Sequence, residues 1–230
     1  MSLNIIKYSV VTYMFSTGEI FEIPSTSSEI LKIVAEICTG KIFITFYLSE
    51  NIDEESAKRI TNEKLNNILD EIAFLFEAFV SDPNIEEINI NGGGTRELQG
   101  KIISCIPVTK SSIDELKRNL EENKNLSIYY RLYREAMRSE STSSFLFLYS
   151  LLAIIKGPSQ KKVDKFILQE LPDTIMKQST KNNDNETIYT FLRNQVGHTQ
   201  QNSRINEIKW EIDERLAQLS KLVKKAIQTS

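Results

Sequence analysis

Histidine is nearly missing from this chain: among 230 residues there is one, His198, beside two cysteines, Cys38 and Cys105, and one tryptophan. Soft ligands so few and so far apart argue against a zinc site built from His and Cys, and no metal or cofactor is expected, although a carboxylate-held metal stays open. Two cysteines cannot make a disulfide framework. Both stand in strand-like apolar segments, where they are expected as buried, reduced thiols of a cytoplasmic protein. No apolar run approaches the roughly 18 residues needed to cross a bilayer, so no membrane segment is expected. The N-terminus lacks a basic start followed by an apolar stretch and a small-residue cleavage site, so no secretory signal is read there. Glycine and proline are scarce as well, at 8 and 5. With 40% hydrophobic and 26% charged residues, the composition is that of a globular chain able to bury a real core, in one large domain or two small ones.

The net charge of −3 hides a division. Residues 50–98 carry 12 acids and 4 bases, a net of −8, whereas residues 99–230 carry 15 acids and 21 bases, a net of +6. A basic C-terminal part suits a phosphate-bearing partner, but an excess this mild does not decide the matter.

Periodicity divides the chain in the same place. Asn4–Phe15 is rich in β-branched and aromatic residues and reads as a strand, with a turn at Ser16-Thr17-Gly18-Glu19 before a strand at Ile20–Ile23. Ile30–Cys38 and Lys41–Leu48 flank Thr39-Gly40 and read as a hairpin, although the first of them starts with a pattern that also suits a helix. From Asp53 the spacing of Ile60, Leu65, Ile68, Leu69, Ile72, Leu75, Phe76 and Phe79 is helical, with Glu54 and Glu55 at the start and Asp82-Pro83 as the stop. Ile85–Ile90 and Lys101–Val108 read as strands around Gly92-Gly93-Gly94. That triple glycine is no P-loop, since Thr95-Arg96-Glu97 supplies neither a Lys-Ser or Lys-Thr pair nor a helix start; a hairpin loop is expected. Beyond Pro107 the strand signals cease. Ser112-Ile113-Asp114-Glu115 has the form of a capping box, and helices are expected over about 114–138, 142–156, 160–170, 185–196 and 203–228. The expected fold is therefore an α+β region of antiparallel strands plus a long helix, residues 1–110, followed by an all-α bundle, residues 111–230.

The only histidine completes a pattern. In Phe191-Leu192-Arg193-Asn194-Gln195-Val196-Gly197-His198, the histidine follows the arginine by five positions. On an unbroken helix five residues turn through roughly 500°, which leaves Arg193 and His198 about 140° apart. Gly197 is placed to end the helix in a left-handed turn and swing His198 back. Ile188, Phe191, Leu192 and Val196 are expected as the buried stripe, with Arg193 and Asn194 beside it. The blander reading is that His198 only caps the last carbonyls of its helix while Arg193 lies in solvent. Likewise Tyr129, Tyr130 and Tyr133 read as a packed stripe before they read as a base-stacking surface, and Lys221, Lys224 and Lys225 as a solvated helix end.

The order Arg193-Asn194, three residues, His198 resembles the signature of the HEPN superfamily. Ser143–Leu152 looks like the apolar, aromatic helix that packs beside the motif in such domains, and the long final helix with Trp210, Leu216, Leu219 and Val223 on one side is similar too. The resemblance covers residues 114–228, about half the chain. It implies a metal-independent endoribonuclease with Arg193, Asn194 and His198 as its catalytic centre, acting on RNA as a homodimer through the helical domain. It further implies a toxin–antitoxin or anti-phage setting, an antitoxin or other regulatory partner, and a sensor or regulator role for residues 1–110. The alternative is a non-catalytic HEPN-like module that binds a nucleotide, RNA or a protein.

Overall fold

The computed structural model describes residues 4–12, 14–15, 17–90, 93–96, 106–122, 127–179, 184–197 and 205–230. The chain forms two compact units, Met1–Arg134 and Glu135–Ser230.

The first unit is built on a six-stranded sheet in the order β3-β4-β5-β1-β6-β7, each neighbouring pair antiparallel. Its strands are β1 (Asn4–Val11), β3 (Thr17–Ile23), β4 (Ile30–Cys38), β5 (Lys41–Leu48), β6 (Asn84–Ile90) and β7 (Gly93–Arg96), while β2 (Met14–Phe15) pairs in parallel with β8 (Ile106–Pro107) apart from it. Alternation decides the faces. In β5, Ile42, Ile44, Phe46 and Leu48 are buried, and Lys41, Phe43, Thr45 and Tyr47 stay partly exposed on the other face. The buried face shares one core with helix α1 (Glu54–Phe76) through Leu65, Ile68, Leu69, Ile72 and Phe76. Two polar groups inside that core, Tyr8 and Thr61, are matched to each other. Thr61 donates its hydroxyl hydrogen to the Ala57 carbonyl at 2.7 Å, so Tyr8 must be the donor in their 2.8 Å contact.

Several local expectations shift. Of the turn expected at Ser16–Glu19, residues 17–19 lie in β3 at a bulge, where Gly18 has φ +93 and the register slips between Thr17 and Glu19; Ser16 lies outside the described residues. β3 pairs with β4, and β1 lies between β5 and β6, so β1 and β3 are not neighbours in the sheet. Thr39-Gly40 does form the expected two-residue turn, with Gly40 at φ +78 and Cys38 opposite Lys41. Asp53 caps α1 by accepting from the Ser56 amide at 2.9 Å, a hydrogen bond that also lowers its carboxyl pKa. The helix stops at Phe76, well before Asp82-Pro83, because Glu77 turns left-handed and the chain must return to the end of β1. There Thr12 donates to the Phe79 carbonyl and the Ser81 amide to that of Val11, both at 2.9 Å. β6 pairs with β7 as a hairpin, Ile90 opposite Gly93 and Asn89 opposite Gly94, so two of the three glycines stand in a strand rather than in the expected loop, and the partner is Gly93–Arg96 instead of Lys101–Val108. Residues 91–92 and 97–105 lie outside the described residues. Cys38 is only half-buried, with burial raising its thiol pKa, and Cys105 is not among the described residues.

The first unit also extends past residue 110. Helix α2 (Lys110–Glu122) starts on Thr109, whose hydroxyl accepts from the Ser112 amide at 3.3 Å, so the helix precedes the expected capping box. Ile113 and Leu116 join the core of the sheet. Asn119 donates to Glu71 at 2.6 Å, and from α3 (Ser127–Arg138) the guanidinium of Arg134 stands 3.0 Å from Asp70. Tyr130 stacks on Phe74 at 4.2 Å and Tyr133 meets the same ring edge-on at 5.5 Å, so these tyrosines pack inward. The composition changes near residue 110, but the division between compact units falls within α3, because α2 and the part of α3 up to Arg134 pack on α1.

The second unit contains α4 (Ser141–Lys156), α5 (Gln160–Glu170), α6 (Ile188–Gly197) and α7 (Ile205–Gln228). Helix α4 packs against the other three. Gly157, at φ +109, ends α4 as its sequence suggests. The unit is not purely helical: β9 (Met176–Gln178) and β10 (Asn185–Thr187) form a two-stranded hairpin, so the helix expected from residue 185 begins only at Ile188. In α7, Ile212, Leu219, Leu222 and Val223 are buried, whereas Trp210, expected on the same side, is 62% exposed. Among the described residues no helix is long and apolar enough to cross a membrane.

Arg134 and Asp70 form a buried ion pair, so Asp70→Ala strands a charge and should destabilise the protein by about 3–5 kcal/mol. Glu22→Ala, which breaks an exposed pair with Lys32, should change stability by less than about 1 kcal/mol. Urea unfolding of the two variants tests this; equal midpoints would contradict it.

Candidate functional site

The helix that carries the motif is fixed at its start. Thr187 closes β10 and caps α6, its hydroxyl lying 3.4 Å from the Thr190 amide. One oxygen of Asp164, on α5, then gathers three donors: the Thr187 hydroxyl at 2.6 Å, the Thr190 hydroxyl at 2.6 Å and the Thr187 amide at 3.3 Å. Because Thr190 donates to Asp164, it accepts from Tyr149 of α4 at 2.7 Å. Burial pushes the Tyr149 pKa up to about 12 against the lowering effect of that hydrogen bond. Three elements thus meet on one carboxylate.

From this start, α6 buries Ile188, Tyr189 and Leu192. Phe191 and Val196, expected in the buried stripe, are only partly covered. Asn194, expected beside it, is 3% exposed. Thr190 and Asn194 are one turn apart, so the helix turns a polar edge inward as well as an apolar one. The Asn194 amide is held on both sides. Its Nδ2 donates to Glu186 Oε2 at 3.0 Å; its Oδ1 accepts from Gln160 Nε2 and from Arg193 Nη1, both at 3.0 Å. Glu186 is itself 6% exposed, and its Oε1 receives no hydrogen bond from the described residues.

Arg193 is exposed, with one nitrogen of its fork anchored on Asn194. An arginine in this state presents its remaining N–H donors to solvent in a preset orientation, a geometry suited to phosphate or carboxylate. Arg193 and Asn194 are therefore brought together. His198, the third residue of the motif, lies outside the described residues, and so does the turn expected to carry it, since Gly197 is the last residue of α6. Among the described residues no cluster of three His, Cys, Asp or Glu is placed to hold a metal ion.

Sequence reading missed Gln160, Asp164 and Glu186, which lie far from the motif or on a segment expected to be helical. The cap Thr187-x-x-Thr190 was open to it as a helix-start pattern. At the start of α6 a cavity of about 550 Å³ opens, lined by Ile188, Tyr189, Arg215 and Gln218 among others, in which Tyr189 donates to Gln218 at 2.6 Å. Comparison with family models, with curated proteins and with solved structures returns no match for this chain.

Two outcomes are expected. Asp164→Ala leaves the buried Thr187 and Thr190 hydroxyls without their acceptor and should destabilise by about 2–4 kcal/mol in urea unfolding, with Asp164→Asn affected less. The raised pKa values of Tyr149 and Tyr189, each about 12 against an ordinary 10, mean that the unfolded chain ionises first. Their contribution to stability is complete below pH 10 and is lost as pH rises towards 12. Absorbance titration of the phenols checks this, and complete ionisation of the folded protein near pH 10 would contradict it.

Proposed function

We propose that this protein is a metal-independent endoribonuclease of the HEPN type, with Arg193, Asn194 and His198 as its site. The observation that supports this most is the state of Arg193: exposed on a helix, oriented by a buried asparagine, in the order Arg-Asn-three residues-His. The reaction this site would run is a transesterification. A base removes the 2′-hydroxyl proton, the 2′-oxygen forms a bond to phosphorus, and the bond from phosphorus to the 5′-oxygen breaks. The 5′-oxygen takes a proton from an acid, which leaves a 2′,3′-cyclic phosphate and a 5′-hydroxyl. Histidine titrates near neutrality and can serve as base or acid, and the Arg193 fork can hold charge on the phosphorane. The Asn194 amide, engaged with Glu186, Gln160 and Arg193, serves as an orienting group.

One chain offers one histidine, while an acid and a base need two; a homodimer that joins two motifs supplies both. Phe145, Leu148, Tyr149 and Leu152 are buried within their own unit and cannot also form an interface. Phe147 and Ile154 of α4 can: they are 54% and 61% exposed and stand two turns apart on one face. In this reading the protein is a cytoplasmic toxin or anti-phage effector, and the sheet unit restrains or triggers it through a regulatory or antitoxin partner. The second reading, an RNA-, nucleotide- or protein-binding module without catalysis, is supported by the same anchored guanidinium.

The expected outcome is cleavage of single-stranded RNA in EDTA with 2′,3′-cyclic phosphate ends, reduced about 10²–10⁴-fold by His198→Ala without loss of helical circular dichroism. Wild-type rates in His198→Ala, or strict dependence on Mg²⁺, would reject the enzyme. Analytical ultracentrifugation should give a dimer at micromolar concentration; an active monomer would reject the paired site.

A further inference from the structure

Asn194 is a symmetric-looking group in an asymmetric setting. Oδ1 faces two donors, Arg193 Nη1 and Gln160 Nε2, and Nδ2 faces the carboxylate of Glu186, all at 3.0 Å. An amide rotated by 180° would point its NH2 at a guanidinium and a second amide donor, and its oxygen at a carboxylate. The contacts with Arg193 and Glu186 would become repulsive. Of the three partners Glu186 weighs most. It is ionisable and buried, whereas Arg193 is exposed and Gln160 can itself turn over to offer an oxygen.

We propose that Glu186 is the positioning residue of the site: it fixes the direction of the Asn194 amide, and that amide holds the guanidinium of Arg193. Glu186 acts through Asn194 and touches no substrate. The relay is short, buried and borne by two elements, β10 and α6, that Thr187 joins and Asp164 pins together. One consequence concerns substitution. In Glu186→Gln, the new carbonyl can still receive Asn194 Nδ2, so the direction is kept. In Glu186→Leu nothing accepts that N–H, and the amide is released. The consequence for RNA cleavage rests on the endoribonuclease reading; the holding of Arg193 does not.

The test has two arms on the full-length protein. In ¹⁵N spectra, with Asn194→Leu and Arg193→Lys used for assignment, Glu186→Leu should move the Asn194 side-chain amide signals and speed hydrogen exchange at Arg193 Nη1, the nitrogen bonded to Asn194, by at least about 10-fold. Glu186→Gln should leave both close to wild type. Unchanged Arg193 signals in Glu186→Leu would overturn the proposal whether or not the protein cuts RNA. In the cleavage arm, Glu186→Leu and Asn194→Leu should each lower kcat about 10²-fold, with the double variant no worse than either single one. Additive losses, or an undiminished kcat beside a released Arg193, would overturn the relay as a catalytic device. A wild-type protein that does not cleave RNA removes the enzyme reading alone, and the spectra still decide the relay. If Glu186→Leu does not fold, Asn194→Leu must release Arg193 and Glu186→Gln must hold it; any other pattern overturns the proposal.

Discussion

A carboxylate in the second unit organises the motif helix before any motif residue is considered. Asp164 draws the Thr187 hydroxyl and amide and the Thr190 hydroxyl onto one oxygen, and Thr190 in turn receives Tyr149. Buried hydroxyls without partners would destabilise the unit by about 1–3 kcal/mol each, so the arrangement is close to obligatory once these residues are inside. It determines where β10 ends and α6 begins. Since α6 continues unbroken to Gly197, its start also sets the rotation of Arg193 and Asn194 about the helix axis.

The same constraint recurs at buried polar groups of the first unit. In the first unit Asp70 answers Arg134, Glu71 answers Asn119, and Thr61 answers Tyr8. Each of these contacts joins α1 to another element, so the sheet, α1, α2 and the start of α3 are one folded body. Buried pairs of this kind do not add much stability on their own, but they penalise every packing in which one partner is left behind.

At the motif the polar edge of α6 does something an apolar stripe could not. It makes Asn194 a buried support for an exposed Arg193, with Glu186 behind it. A guanidinium on a long flexible stem loses rotamer freedom when it meets an anion; one already tethered has lost part of it beforehand.

Much of the architecture was legible in the sequence. Ile30–Cys38 and Lys41–Leu48 read as a hairpin around Thr39-Gly40, Asp53 with Glu54 and Glu55 as a helix start, and the helix expected over 142–156 ends where Gly157 turns. Each depends on neighbours in the chain, and local periodicity reports such neighbours directly. Arg193 and Asn194 were also found that way, as adjacent residues on a helix. The pairing of β1 with β5 and β6, the packing of α2 and α3 on α1, and the hairpin that displaces the start of α6 depend on contacts between distant residues. So does the buried state of Asn194: its partners Gln160 and Glu186 lie 34 and 8 positions away, on different elements. The sequence determined which residues prefer strand or helix and which side chain carries the charge. Only the tertiary structure decided which polar atoms face each other, because hydrogen bonding inside a core is a matter of direction and distance in space, and one-dimensional spacing holds neither.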